Sequence, residues 1–143
     1  MSVESPDESL TFVDSNVWLY ALIAAQEPAK SAVAKQIISS PRFVSVQVVN
    51  EVCVNLLKKA QRSEDELAAV IRAFHSQHHV VEVTEDVLLR AVELRKSGSF
   101  SFWDSLILAA ALSVGATVLY TEDMQHGLTV DGTLLIVNPI LGS

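Results

Sequence analysis

Hydrophobic residues along this chain follow two rhythms. Short unbroken apolar runs alternate with longer stretches in which apolar positions recur every three to four residues. The short runs lie at 10–13, 42–45, 80–83, 117–120 and 134–137, the last ended by Asn138-Pro139. Continuous runs of this length predict buried strands. The longer stretches predict helices at 15–25, 28–39, 46–60, 63–76, 84–98 and 104–114. Several carry their own start and stop signals. Pro28 suits a first helical turn and Pro41 ends that helix. Ser63 and Glu66 form a capping box, Thr84 caps the next helix, and Gly98 and Gly115 close the last two. Val48, Val49, Val52, Leu56 and Leu57 share one face of the helix at 46–60.

Strands that alternate with helices throughout predict an α/β fold, a parallel sheet covered by helices on both faces. Residues 10–143 have the size of one domain, and no internal repeat or linker divides them. Residues 1–9 are polar and acidic and predict a flexible N-terminal segment.

Composition narrows the class. Half of the 143 residues are hydrophobic and 19% are charged, enough apolar material for a core without disulfides or a structural metal. The single cysteine, Cys53, excludes an internal disulfide and a cysteine-based zinc site. The N-terminal segment does not have the form of a signal peptide. The longest uncharged stretch, 105–121, is shorter than the ~20 apolar residues of a membrane helix and is broken by Gly115. A cytoplasmic protein with no membrane segment is expected. The net charge of −7 argues against broad electrostatic binding of nucleic acid. It does not exclude an enzyme that meets a phosphodiester through cations held by clustered acids.

Four acids stand in apolar surroundings. Asp14 lies between Phe12-Val13 and Asn16-Val17-Trp18, Glu51 within Val48-Val49-Asn50-Glu51-Val52, Asp104 between Phe102-Trp103 and Leu106-Ile107-Leu108, and Asp123 after Leu119-Tyr120-Thr121. An ionised carboxylate is costly in such a setting unless it is paired or binds a metal. No Lys or Arg stands within four residues of Asp14, Glu51 or Asp104. Two carboxylates about 4 Å apart repel by ~4 kcal/mol at an effective dielectric of 20. A divalent cation reverses that sign, and carboxylate and water oxygens suit Mg²⁺ or Mn²⁺. Asp14 follows the first strand and Asp123 the fourth. Ligands of open parallel sheets bind at these carboxyl ends, where strand order reverses. Each acid also has a plainer role open to it: Asp14 and Asp104 as helix caps, Glu51 on a solvated helix face, Asp123 in a solvated loop.

At these residues the sequence resembles the PIN-domain nucleases. The matching segments are Phe12-Val13-Asp14-Ser15-Asn16-Val17-Trp18-Leu19-Tyr20, Asn50-Glu51-Val52, Phe102-Trp103-Asp104-Ser105-Leu106-Ile107 and Leu119-Tyr120-Thr121-Glu122-Asp123-Met124. They fall in the family's order and span nearly the whole chain. The size is most similar to the toxin half of VapBC toxin–antitoxin pairs. The resemblance implies a three-layer α/β/α domain with five parallel strands in the order 3-2-1-4-5. It implies Mg²⁺- or Mn²⁺-dependent cleavage of RNA to 5′-phosphate and 3′-hydroxyl ends, with Asp14, Glu51, Asp104 and Asp123 as the metal-holding and catalytic acids. Asp104 or Asp123 would take the proton of the attacking water. Thr121 would orient a carboxylate or water, and Ser15 and Asn16 would support the first acid, if they do not simply cap the helix. The implied partners are an RNA substrate, a cognate antitoxin with a cationic segment, and a second copy in a homodimer. The segment Gly98-Ser99-Phe100-Ser101 departs from the family in being more apolar, at the rim that would face substrate.

Other features carry less. Lys58, Lys59, Arg62, Arg95 and Lys96 are candidate backbone contacts but also suit ordinary helix ends. His75 and His78 have zinc-compatible spacing but no third ligand, so His75, His78 and His79 are expected to be solvated or capping. His126 lies near Asp123. Trp18, Phe102 and Trp103 are expected in the core or at a subunit contact rather than stacked on bases. An aspartyl phosphotransferase of the haloacid-dehalogenase kind would need an acid where Asn16 stands, and a receiver domain a lysine after the last strand. A catalytically silent binding module with the same fold is the alternative of a different class, and a PIN nuclease with no toxin role is the other alternative.

Overall fold

The computed structural model describes residues 10–23 and 27–143. The expected flexible segment 1–9 and the expected end of the first helix at Ala25 lie outside the described residues. The elements follow in order: β1 (Thr11–Val13), α1 (Ser15–Leu22), α2 (Pro28–Ile38), β2 (Phe43–Ser45), α3 (Val46–Ala60), α4 (Glu64–Gln77), β3 (His79–Val81), α5 (Glu85–Ser97), α6 (Phe102–Ser113), β4 (Val118–Tyr120), β5 (Thr129–Val130) and β6 (Leu134–Val137).

The six strands form one sheet in the order β3-β2-β1-β4-β6-β5. The first five of these run parallel, as the alternation of apolar runs and helices requires. The expected fifth strand is β6, so the expected order 3-2-1-4-5 holds for the parallel strands. The addition is β5, which pairs antiparallel with β6 at the sheet edge. Only two residues long, it is too short to show a period in sequence. Asp131 and Gly132, both with positive φ, turn the chain between β5 and β6.

The central strands β1 and β4 are direct neighbours, with Phe12 opposite Leu119 and Val13 opposite Tyr120. The ladder continues past both strands: the Asp14 N–H donates to the Tyr120 carbonyl at 2.9 Å, and the Thr121 N–H to the Val137 carbonyl at 3.0 Å. Asp14 and Thr121 are therefore set by sheet hydrogen bonds. Phe12, Val13, Leu119 and Ile136 are fully buried around them. The helices pack in two groups, α1 to α4 in one and α5 with α6 in the other.

Local signals explain the helix ends. Ser63 and Glu66 make the capping box of α4, and the Thr84 hydroxyl caps α5. Helix α6 starts two residues earlier than expected, because the Ser101 hydroxyl accepts from the Asp104 N–H at 3.0 Å. Asp104 is thus no cap, but the third residue of the helix. Strand β3 starts one residue before the expected run and ends two before its close. No helix among the described residues is long and apolar enough to cross a membrane.

Trp18 is buried as expected, its indole N–H donating to the Val13 carbonyl at 3.0 Å. Phe102 and Trp103 are not in the core: they are 43% and 45% exposed on the first turn of α6. His78 stacks edge-on against Trp18, and its Nδ1 accepts from the Arg42 N–H. Burial pushes its pKa down. Burial also raises the Cys53 thiol, the reverse of what a nucleophile needs.

Candidate active site

The acids arrive at the carboxyl end of the sheet from four different elements. Asp14 follows β1 and is the N-cap of α1, Glu51 lies on the second turn of α3, Asp104 on the first turn of α6, and Asp123 in the loop after β4. Asp14 is only 4% exposed. Its Oδ1 accepts from the Ser15 N–H at 2.7 Å and its Oδ2 from the Thr121 hydroxyl at 2.9 Å. The capping role open to Asp14 is therefore real, and it uses only one of the two carboxylate oxygens.

Thr121 is the hub. Fully buried, it donates to Asp14 and accepts through the same oxygen from the Asp123 N–H at 3.1 Å and the Asn16 amide at 3.3 Å. The Asn16 amide also donates to Asp123 Oδ2 at 3.0 Å, and its oxygen accepts from the Glu122 N–H at 3.2 Å. The Ser15 hydroxyl donates to Glu51 Oε1. Ser15 and Asn16 thus do more than open a helix: one ties Glu51 to the segment after β1, the other ties Asp123 to it. No sequence period signals these ties, because each spans 36 or more residues.

Asp104 is joined to the others by no hydrogen bond among the described residues. It shares a groove wall with Asp123, and charge couples it to the rest. Its carboxyl is raised above the usual range, first by burial and then by Asp123 and Glu51, against the pull of Ser101. Asp14 is raised from 3.8 to about 6. Burial is the main cause, offset by the bonds from Ser15 and Thr121, and the charges of Glu51 and Asp123 push the same way as burial.

None of the ion pairs among the described residues involves these four acids. Arg62 instead donates to the Leu22 carbonyl and faces Glu66, while Arg95 donates to the Phe100 carbonyl. Lys59 lines a pocket with Asn16 and Glu122, beside the site. Lys30, which carries no signal in the sequence pattern, pairs with Glu122 at 3.9 Å. The Tyr20 hydroxyl donates to the same carboxylate at 2.7 Å, and its pKa is pushed up to about 12. His126 accepts from the Asn138 N–H and is engaged in the loop rather than with the acids.

The donors gathered here are carboxylate oxygens with hydroxyl and amide support, the chemistry preferred by a hard divalent cation. Among the described residues no three His, Cys, Asp or Glu side chains crowd around one point. Mg²⁺ keeps several waters and takes one or two carboxylates, so this open arrangement suits a hydrated ion.

The PIN domain family model matches residues 11–127. No relative matches among curated protein sequences. Several solved structures share the fold. One is the Mycobacterium tuberculosis toxin VapC20, described as cleaving the sarcin-ricin loop, at 22% identity and a TM-score of 0.64 over 79% of this chain and 89% of that one. A toxin–antitoxin complex from Klebsiella pneumoniae matches at 23% identity and 0.66, over 90% and 97%. VapBC2 from Rickettsia felis, bound to a promoter DNA fragment, matches at 15% identity and 0.62, over 88% and 96%. With residues 11–127, most of its length, under the family model, the chain belongs to the PIN-domain family.

Proposed function

We propose that this protein is a metal-dependent endoribonuclease, the toxin component of a toxin–antitoxin pair. The observation that carries the proposal is the hydrogen bonding of Asp14, Glu51 and Asp123 to the neighbouring Thr121, Ser15 and Asn16, with Asp104 and Asp123 lining one groove.

Asp14, Glu51, Asp104 and Asp123 would hold Mg²⁺ or Mn²⁺. When bound, the ion polarises water toward attack on phosphorus and offsets charge on the phosphate oxygens. The chain's own residues supply position. Thr121 and the Ser15 N–H hold both oxygens of Asp14 in one orientation. Ser15 turns Glu51 inward and Asn16 steadies Asp123. Asp104 or Asp123 would accept the proton of the attacking water.

Asp14, Glu51, Asp104 and Asp123, which make no ion pair among the described residues, are electrostatically suited to a cationic antitoxin segment, and the Klebsiella pneumoniae relative is a toxin–antitoxin complex. The exposed Leu88, Leu89 and Val92 of α5 support a homodimer. The test of the hydrolytic reading is the chemistry of the product ends. Structured RNAs, tRNAs included, incubated with the full chain and Mg²⁺ are expected to yield 5′-phosphate and 3′-hydroxyl ends. Cyclic phosphate ends would exclude metal-assisted hydrolysis.

A further inference from the structure

Asp104 and Asp123 line a groove of about 610 Å³ whose other lining residues the proposed chemistry leaves unused. Beyond the two acids its walls change character. Phe100 supplies an aromatic surface, and Ser97, Ser99 and Gln125 supply hydroxyls and an amide. The remaining carboxylate, Asp131, is bound to Arg90 at 2.5 Å. The lining therefore carries Asp104 and Asp123 as its acids without an ion pair among the described residues, and its other side chains, the paired Asp131 apart, are neutral.

Both walls are fixed. A Cβ on Gly98 would lie 2.9 and 3.0 Å from two Phe100 ring carbons, so the ring rests in space that only glycine leaves. Arg95 holds the Phe100 carbonyl from the helix side. Opposite, the Gln125 carbonyl accepts from the Leu128 N–H, the Gly127 N–H donates to the Ile136 carbonyl at 2.8 Å, and His126 accepts from Asn138. The loop is thus fastened to β6 and the segment after it. Among the described residues nothing pairs with the exposed Gln125 amide.

This combination matches a nucleobase. A base is uncharged, so Asp104 and Asp123 do not repel it as they would a second phosphate. It has a π-face for Phe100 and an edge of donors and acceptors for an amide and hydroxyls. The volume lies within the range of ligand pockets, roughly 300–1,000 Å³. We propose that the groove takes the nucleobase beside the scissile phosphate, with Phe100 as its stacking wall and Gln125 as the reader of its edge. The placement relative to the cut rests on the nuclease reading; the affinity of the groove for a base does not.

The experiment has two arms on the full chain. In the first, adenosine, guanosine, cytidine and uridine are titrated separately while the Gln125 side-chain amide and Phe100 ring resonances are followed by NMR. At least one nucleoside is expected to shift both, with affinity falling about tenfold in Phe100→Leu and about tenfold in Gln125→Ala. Gln125 is exposed, so its variant keeps the test sound if the Phe100 variant folds poorly. No shift with any nucleoside, or affinity unchanged in the variants, overturns the proposal. In the second arm, wild type and Gln125→Ala cut a randomised RNA pool with Mg²⁺, and the variant is expected to lose base preference at one position beside the cut. Cutting with identical preference overturns the base site and leaves the nuclease standing. A chain that binds a nucleoside in the groove yet cuts no RNA leaves the base site and removes the nuclease.

Discussion

The Thr121 hydroxyl donates to Asp14 Oδ2 at 2.9 Å in a fully buried position, and the same oxygen receives the Asp123 N–H and the Asn16 amide. One side chain thus fixes the relation between the acid after β1 and the acid after β4. Thr121→Val keeps the shape and removes every one of these bonds. It is expected to destabilise the chain by ~1–3 kcal/mol, the cost of leaving buried polar groups unpaired, and to weaken Mg²⁺ binding or cleavage by about 10–100-fold. Thr121→Ser should recover most of both. Denaturant unfolding and metal titration check the pair, and a Val variant equal to wild type in both would remove Thr121 from the site.

Asp14 gives the pH dependence. Its folded pKa, about 6, lies above the ordinary 3.8, so the folded chain holds this proton more tightly than the unfolded chain. The sign follows: the contribution of Asp14 to stability is greatest below the ordinary value, falls as pH rises toward the raised value, and is constant above it. The loss amounts to roughly 3 kcal/mol at 1.36 kcal/mol per unit. Asp14→Asn should therefore stabilise the metal-free protein at pH 7 while abolishing metal-dependent stabilisation. Thermal unfolding between pH 4 and pH 8, with and without Mg²⁺, measures both. Destabilisation of the metal-free protein by the Asn variant at pH 7 would contradict the raised pKa.

Protons and cations compete for the same oxygens. If Asp14 holds the cation, Mg²⁺ affinity should rise with pH up to about 6 and level off above it, as this carboxyl ionises. Calorimetric titration across that range checks it, and an affinity independent of pH would move the cation away from Asp14.

Asn16 ties Asp123 and the Glu122 N–H to the start of α1. Asn16→Ala should lower cleavage by about 10–100-fold with only a small change in stability, since the amide is part-exposed. Ser63→Ala supplies the contrast. It removes the capping box of α4, and is expected to cost ~1 kcal/mol and leave cleavage unchanged.

Much of this arrangement is legible in the sequence because it depends on local chemistry. The apolar runs mark the parallel strands, Ser63 and Thr84 mark helix starts, and Asp14 is visible as a charge where a buried strand ends. What escapes reading is set by contacts distant in the chain or by elements too short to have a period. Strand β5 is two residues pinned to β6. The bonds from Ser15 to Glu51 and from Asn16 to Asp123 need the fold before they exist. Phe102 and Trp103 are expected in the core or at a subunit contact, and the structure removes the first of these: the Ser101 cap starts the helix early, and both stand half-exposed on its first turn.

If Asp14 anchors a metal-dependent nuclease centre, its loss must silence the chemistry. Cleavage of a panel of structured RNAs, including tRNAs, by wild type and by Asp14→Asn in Mg²⁺, Mn²⁺ or EDTA tests this most directly. Cleavage by wild type is predicted to require a divalent cation and to disappear in the variant. Equal cleavage by both proteins, or cleavage that persists in EDTA, would contradict it.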